Sequence, residues 1–233
     1  MLTIVLPVLN EQIILRENAL RLWSFCRDNL KEEWQIIISD SASTDKTPFI
    51  GHALAENYLE IKYFRQEIIG KGAAVLGAWQ SFPADIYIFM DADLAADLKF
   101  LPALISAVKN KADIAVGSRF QIGASSSRPW LRRLTSRGLR LVLKIFFHLK
   151  AKDAPCGFKA INQKTLATVI PRIKNQTWFF DTELLILAEQ QGLNIKEIPI
   201  IWQDGLNPAR RSTIRLFAVI KDYLKNIFSL LNR

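Results

Sequence analysis

The segment IYIFMDAD, residues 86–93, combines an apolar run with two carboxylates in this 233-residue chain. Its first five residues, Ile86 to Met90, are all apolar, which is typical of a strand buried on both faces of a sheet. Asp91 and Asp93 follow at once, so two carboxylates on alternate residues emerge where the strand ends. Carboxylate oxygens suit Mg²⁺ or Mn²⁺ bridging to phosphate. Asp-Xaa-Asp alone is more often a solvated turn, and its place after a buried strand favours the metal site.

Short β-branched runs alternate with longer helical stretches through the first half of the chain. Strands are predicted at residues 3–8, 34–39, 61–64, 86–90 and 113–117. Helices are predicted at residues 14–29, 48–58, 72–81 and 100–109. This alternation predicts an α/β fold, Rossmann-like, with a mostly parallel sheet and helices on both faces. In such sheets, ligands bind beyond the carboxyl ends of the strands.

Polar residues do follow the predicted strands, as a binding edge requires. They are Asn10 and Glu11, Asp40 to Asp45, Asp91 and Asp93, and Ser118 and Arg119. Gly70-Lys71-Gly72 follows the third strand after a gap. Ser43, Thr44 or Asp45 could cap the helix that Pro48 begins, but a cap does not need the carboxylate of Asp40. We therefore expect Asp40 to accept hydrogen bonds from a base or ribose.

After Phe120 the chain becomes strongly basic. Residues 129–150 mix Arg and Lys with Leu, Phe and Trp at helical spacings, which predicts an amphipathic helix. It could lie in a membrane interface or pack as an ordinary surface helix, and the residues leave both open. A turn at residues 153–157, a short strand, a helix at 182–191, a strand at 195–202 and an amphipathic C-terminal helix at 213–230 are predicted next.

The net charge of +9 is unevenly distributed: residues 1–113 carry −4 and residues 114–233 carry +13. The basic half predicts an anionic partner, and nucleic acid, anionic lipid and phosphorylated small molecules all qualify on charge. No apolar run is long enough for a spanning helix, so we expect a protein that is neither secreted nor integral. Cys26 and Cys156 have no metal-ligand spacing, which favours two buried thiols in a reducing cytoplasm.

Seven blocks, in order along the chain, resemble the family 2 glycosyltransferases with the GT-A fold. The closer likeness is to the dolichyl-phosphate mannose synthase and dolichyl-phosphate glucosyltransferase branch. The blocks are residues 5–11 (VLPVLNE), 40–47 (DSASTDKT), 70–75 (GKGAAV), 91–94 (DADL), 113–120 (DIAVGSRF), 156–159 (CGFK) and 178–185 (WFFDTELL). Each block is weak alone, and together they are highly specific.

The resemblance implies a nucleotide-sugar donor site in residues 1–119 and an acceptor half in residues 120–233 of one domain spanning residues 1–233. The donor-binding residues that it implies are Pro7, Glu11, Asp40, Lys71, Gly72 and, in a loop that closes over the donor, Arg210 or Arg211.

The resemblance also implies the catalytic and acceptor residues. Asp93 would hold Mg²⁺ or Mn²⁺ against the donor diphosphate, with Asp91 touching the ribose or the metal shell. Arg119 would face the phosphates at the reaction centre. Arg132 and Ser136, one helical turn apart, would bind the acceptor phosphate.

Two positions depart from the family pattern. Ser41 stands where the family often has a second Asp, which weakens a detailed claim about base recognition. Ala95 stands where the family often has Gln two positions after the metal Asp, and water can fill that coordination position.

A phosphate acceptor is already anionic at neutral pH and needs no strong general base, so the absence of a Ser-His-Asp set is consistent with this reaction. His52 and His148 fall in predicted helices and are expected to be structural.

The sequence therefore predicts inverting transfer of a hexose from GDP-mannose or UDP-glucose to a polyprenyl or dolichyl phosphate. We expect a peripheral protein on the cytoplasmic face of a membrane, bound to an anionic surface, with a separate membrane-embedded subunit as a further partner that the resemblance allows. The alternatives are a soluble or polysaccharide acceptor, a catalytically silent lipid-phosphate binder, and a nucleic-acid-binding protein. Nucleic acid is disfavoured because it leaves the acidic strand ends unexplained and no recognised nucleic-acid motif is present.

Overall fold

The computed structural model describes the backbone of residues 1–127, 130–203 and 216–232, and the side chains of residues 1–125, 135–203 and 221–232. Its strands are Leu2–Val8 (β1), Trp34–Ser41 (β2), Ile61–Gln66 (β3), Ile86–Met90 (β4), Ile114–Ser118 (β5), Ser125–Ser127 (β6), Phe158–Asn162 (β7), Ile195–Pro199 (β8) and Ile201–Gln203 (β9). Its α-helices are Leu15–Asn29 (α1), Thr47–Asn57 (α2), Lys71–Ser81 (α3), Leu101–Lys109 (α4), Trp130–Phe147 (α5), Gln163–Thr168 (α6), Phe180–Gln190 (α7) and Leu216–Leu231 (α8). The α/β alternation predicted for the first half is confirmed.

Seven strands form one sheet in the order β3-β2-β1-β4-β7-β5-β8. All neighbouring pairs are parallel except those of β7, which runs antiparallel between β4 and β5. Every residue of β4 and β5 is buried, so both faces of the sheet are covered. Both predicted halves of the chain contribute strands to this sheet, so they share one core.

Strand β7 determines where the preceding turn lies. Because β7 runs antiparallel, its first residue Phe158 pairs with Met90, the last residue of β4. The turn before β7, residues 153–157, is therefore placed at the carboxyl ends of the neighbouring parallel strands. That is the edge at which ligands bind in α/β sheets.

The prediction of one strand over residues 195–202 is wrong. The chain divides at Ile200: β8 joins the large sheet beside β5, whereas β9 pairs with β6 in a second, two-stranded sheet. Pro199 ends β8, and proline has no N–H with which to continue a ladder. Gln203 at the end of β9 donates its backbone N–H to Ala95 O, 2.8 Å away, so β9 ends beside the loop that follows β4.

Amphipathic helices in the second half are confirmed as α5 and α8. On α5, Leu143 is buried while Leu141, Ile145 and Phe146 are exposed. On α8, the described residues bury Tyr223, Ile227 and Leu230 and expose Leu224, Phe228 and Leu231. Each helix thus packs one apolar face on the core and leaves further apolar side chains exposed. Among the described residues, no helix is long and apolar enough to cross a membrane.

Candidate active site

The candidate site lies where β1, β2, β4 and β5 end. Three residues at this edge adopt positive φ values: Asn10 after β1 (55°), Ala42 after β2 (57°) and Leu94 after Asp93 (49°). Such backbone is unfavourable for residues other than glycine and is found where surrounding contacts hold it in place. Asn10 Oδ1 accepts hydrogen bonds from the backbone N–H of Thr44 and Asp45, which ties the first two loops together. The loops are thus held by one another as well as by the sheet.

Asp91 is held by groups from two other parts of the chain. Its Oδ1 lies 2.5 Å from Lys71 Nζ at the start of α3. Its backbone N–H donates to Gly157 O at 3.1 Å. A Cβ on Gly157 would lie only 2.0 Å from Asp91 Oδ2, so the carboxylate occupies space that exists because residue 157 is glycine. The turn before β7 is therefore one wall of the carboxylate site.

Asp91 and Asp93, the predicted metal ligands, have the carboxylate chemistry that a hard, oxygen-binding divalent cation requires. Asp93 is half-buried, and its Oδ1 accepts the backbone N–H of Ala95 at 3.2 Å. Within the described residues, no group of three or more His, Cys, Asp and Glu side chains is placed to hold a metal ion. Two carboxylates alone suit Mg²⁺ or Mn²⁺ that takes its remaining ligands from a diphosphate and water.

Lys71 lies within a buried set of charges. Burial alone would lower the pKa of Lys71, but Asp91, Asp181 and Asp93 outweigh it and hold that pKa above its ordinary value. Lys71 therefore stays protonated at neutral pH. Its ammonium also lies 5.2 Å from the ring centre of Phe89 and 5.3 Å from that of Trp178. The site thus contains a positive charge beside the two predicted metal ligands.

A second buried lysine, Lys159 on β7, supports the turn at residues 153–157. Its Nζ donates to the carbonyl oxygens of Ala154 (2.8 Å) and Cys156 (2.6 Å) and lies 3.5 Å from Asp181 Oδ2. Burial lowers the pKa of Lys159 and raises that of Asp181. Cys156 itself is fully buried, and burial raises its pKa to about 12. Both cysteines are buried free thiols, as predicted.

Arg119 is bound to the same turn. Its Nη2 and Nε lie 2.6 and 2.7 Å from the two carboxylate oxygens of Asp153, and its backbone N–H donates to the same carboxylate. Asp153 is fully buried and Arg119 is nearly so. The guanidinium also lies 4.8 Å from the ring centre of Trp202. Arg119 and Asp91 are thus both positioned by one turn.

Asp40, predicted to meet the nucleoside, is completely buried and makes hydrogen bonds within the protein. Its Oδ1 accepts the Ser43 N–H at 2.9 Å, and its Oδ2 accepts the Tyr63 hydroxyl at 2.6 Å and Arg65 Nη1 at 3.4 Å. Pro7 is half-buried on β1. Glu11 is also half-buried, and its backbone N–H donates to Thr47 Oγ1 at 2.8 Å. These three predicted donor residues share the β1–β2 part of the edge.

Gly72 lies at a contact between α3 and the segment before α7. Its N–H donates to Thr177 O at 3.1 Å, and the next N–H, that of Ala73, donates to Gln176 O at 2.9 Å. A Cβ on Gly72 would lie 2.8 Å from Gln176 C and from Phe180 Cβ. The start of α3 therefore binds residues 176–177 and places Trp178 beside Lys71.

Ser41, where the family pattern often has Asp, fastens the loop that precedes α3. Its hydroxyl donates to Ile68 O at 2.9 Å and accepts the Gly70 N–H at 2.6 Å. The serine thus sets the path of the chain into Lys71.

The predicted acceptor and lid residues are only partly described. Ser136 is half-buried on α5, whereas the side chain of Arg132, one turn earlier, lies outside the described residues. Arg210 and Arg211 also lie outside them. Farther along α5, the Arg140 guanidinium lies 5.8 Å from the ring centre of Phe120, so α5 passes beside the residue after Arg119.

Sequence reasoning missed four residues of this site: Asp153, Lys159, Trp178 and Asp181. Three of them belong to the blocks CGFK and WFFDTELL, which carry the family resemblance without an assigned role. Asp153 has a weaker signal, a carboxylate in a turn before a predicted strand. All four come together because β7 is antiparallel and α3 binds residues 176–177.

Residues 3–170 match the family described as Glycosyl transferase family 2. Glycosyltransferase AglD of Haloferax volcanii is 28% identical over 205 residues, covering 86% of this chain and 33% of that protein. The dolichyl-phosphate beta-glucosyltransferase of Saccharomyces cerevisiae is 29% identical over 226 residues, covering 87% of this chain and 67% of that protein. The dolichol-phosphate mannosyltransferase of Pyrococcus furiosus is 28% identical over 233 residues, covering 98% of this chain and 63% of that protein. The chain thus spans from one third to two thirds of the length of these relatives.

The fold is shared with solved glycosyltransferase structures. Glucosyl-3-phosphoglycerate synthase from Mycobacterium tuberculosis, in complex with Mn²⁺, UDP-glucose and phosphoglyceric acid, superposes with a TM-score of 0.73 at 20% identity, covering 100% of this chain and 80% of that one. This confirms the GT-A-like fold implied by the sequence blocks. The family match covers most of the chain, and on that ground the chain belongs to glycosyl transferase family 2.

Proposed function

We propose that this protein transfers a hexose from a nucleotide sugar, UDP-glucose or GDP-mannose, to a polyisoprenyl phosphate with inversion at the anomeric carbon. The observation that carries the proposal is the shared support of Asp91 and Arg119 by the turn at residues 153–157. The proposal is supported by a carboxylate of the type that binds divalent ions and a guanidinium of the type that binds phosphate at one sheet edge. Relatives named for dolichyl-phosphate glucosyl and mannosyl transfer support the lipid acceptor.

The transfer reaction mainly requires positive charge that stabilises the departing nucleotide diphosphate. An oxygen of the acceptor phosphate forms a bond to the anomeric carbon while the bond from that carbon to the nucleotide diphosphate breaks. The electron pair leaves with the diphosphate. A divalent cation held by Asp93 and Asp91 would neutralise charge on that diphosphate. Lys71, kept protonated by its carboxylate neighbours, adds a fixed positive charge close by.

The acceptor side of the proposal rests on α5. It passes beside Phe120, carries Arg132 and Ser136 one turn apart, and exposes Leu141, Ile145 and Phe146. Cationic and apolar side chains on one helix suit a lipid phosphate at a bilayer surface. We therefore include in the proposal peripheral attachment to the cytoplasmic face of a membrane, with a separate membrane-embedded subunit as a further partner.

Radiolabelled transfer tests the proposal directly. The chain would be incubated with Mn²⁺ and labelled UDP-glucose or GDP-mannose, and with polyprenyl phosphate in vesicles, phosphoglyceric acid or no acceptor. Label in the organic phase that depends on polyprenyl phosphate is expected. Label in a water-soluble product with phosphoglyceric acid would favour a soluble acceptor. No transfer from either donor to either acceptor would contradict the proposal.

A further inference from the structure

Trp178 is the most exposed tryptophan among the described side chains, with 39% of its surface accessible. The described tryptophans Trp79 and Trp202 are buried, and Trp23 and Trp34 are half-buried. An aromatic ring of this size dominates contact energy wherever it is covered, so exposure beside a catalytic edge points to a ligand that covers it.

The backbone on both sides of Trp178 is fixed. Gln176 O and Thr177 O accept N–H groups of α3, and Trp178 O accepts the Tyr223 hydroxyl of α8 at 3.2 Å. The next two residues, Phe179 and Phe180, are buried. The exposed ring is therefore carried by a segment that is hydrogen-bonded to α3 and α8 and continues into α7, which suits a preformed binding surface.

The ring lies beside the predicted metal ligands. The Lys71 ammonium lies 5.3 Å from its centre and 2.5 Å from Asp91 Oδ1, so one ammonium group separates the ring from the predicted metal ligand. In a donor whose diphosphate meets the cation held by Asp91 and Asp93, the hexose is attached to the distal phosphate. We therefore expect the sugar ring of such a donor to lie within reach of the exposed part of Trp178.

We infer that Trp178 contacts the donor hexose through the apolar C–H face of the sugar; this inference rests on the proposed function. In an α-linked nucleotide sugar the axial diphosphate occupies one face of the pyranose. The opposite face presents C–H bonds in glucose, whereas the axial 2-hydroxyl of mannose projects from it, and this open face is the one that would lie on the indole. Trp178 therefore favours a gluco-configured donor, UDP-glucose, over a manno-configured one. The indole sets sugar selectivity, while the β1–β2 part of the edge binds the nucleoside.

The test compares binding of UDP-glucose with binding of UDP alone, each with Mn²⁺, for wild type, Trp178→Ala and Trp178→Phe. We expect Trp178→Ala to weaken UDP-glucose binding about tenfold and to leave UDP binding unchanged. Trp178→Phe, which keeps an aromatic face, should recover most of the loss. Trp34→Ala is the control: Trp34 is half-buried at the start of β2, whereas the candidate site lies where β2 ends. This variant should change the affinities for UDP and UDP-glucose equally or not at all.

Three results would overturn the inference. The first is equal losses for UDP and UDP-glucose in Trp178→Ala, which would place the ring on the nucleotide. The second is unchanged binding of both. The third is a wild-type preference for UDP-mannose over UDP-glucose, a comparison in which the base is the same. A wild-type protein that binds no nucleotide sugar would instead reject the proposed function, so the two failures are distinguishable.

Discussion

The guanidinium of Arg119 makes a two-point contact with the carboxylate of Asp153, at 2.6 and 2.7 Å. Asp153 is completely buried and receives the backbone N–H of Arg119 as well. The family resemblance predicts that Arg119 faces phosphates, and this pair shows how such an arginine is oriented. One carboxylate restrains the side chain at two nitrogens and the backbone at a third.

Asp153→Asn should therefore lower kcat on the order of 100-fold, because Arg119, which is predicted to meet the reacting phosphates, would lose the carboxylate that positions it. The donor KM should change much less. Steady-state transfer, measured below the unfolding temperature of each variant, checks this. Asp28→Asn breaks an exposed Arg–Asp pair with Arg27 and should change neither parameter. A fall in kcat that only tracks lost thermal stability would argue against a positioning role.

Asp93→Asn should abolish transfer while the fold stays intact, since the neutral amide loses the charge that holds the cation on the diphosphate. Excess EDTA should have the same effect on wild type. Asp97→Asn is the matched control, because its side-chain oxygen can still accept the Lys99 N–H that caps the next turn. Full turnover by the Asp93 variant, or by wild type in EDTA, would refute the metal role.

Gly157→Ala should weaken Mn²⁺ binding in the presence of UDP about 10- to 100-fold, as loss of support behind a ligand typically does. The new methyl group would lie 2.0 Å from Asp91 Oδ2, so that carboxylate must move. Titration of Mn²⁺ by calorimetry measures the change. Gly138→Ala, where a Cβ meets nothing within 4 Å, should leave metal binding unaltered. Wild-type affinity in the Gly157 variant would show that Asp91 is not a ligand.

Arg132→Ala should raise the concentration of polyprenyl phosphate required for turnover, because it removes a charge-assisted contact of about 1.5–3 kcal/mol. Donor affinity measured without lipid should hardly move. Arg137→Ala, on the exposed side of α5, controls for the general loss of positive charge. If donor binding falls and acceptor dependence stays flat, the arginine belongs to the donor site.

Binding to anionic vesicles should weaken steeply with salt, since each basic side chain near the headgroups contributes about 1 kcal/mol of screened attraction. The predicted contacts are residues 129–150 and the C-terminal helix at 213–230. Cosedimentation with neutral and anionic liposomes at low and high ionic strength measures it, with a truncation before Thr213 as comparison. Salt-independent binding to both lipids would reject the electrostatic account. An unaltered truncation would show that α8 only completes the core.

Local patterns in the sequence are enough to predict the strands of the parallel sheet and the edge at which those strands place polar groups. Apolar runs such as residues 86–90 are local, and a strand's direction in a parallel sheet follows from the helix before it. The order of strands and helices along the chain is therefore enough to assign Asp91, Asp93, Lys71 and Arg119 to one edge. The family resemblance assigns roles to these residues but does not predict their contacts.

The contacts that hold those residues in place depend on the tertiary fold and could not be predicted from local patterns. The residue pattern of β7 does not predict that this strand runs antiparallel between β4 and β5, because strand pairing depends on neighbours that are distant in sequence. That insertion brings Asp153 to Arg119 and Gly157 to Asp91. The two backbone hydrogen bonds from α3 to residues 176–177 likewise place Trp178 beside Lys71. These contacts join segments up to about a hundred residues apart, a separation at which periodicity and propensity carry no information.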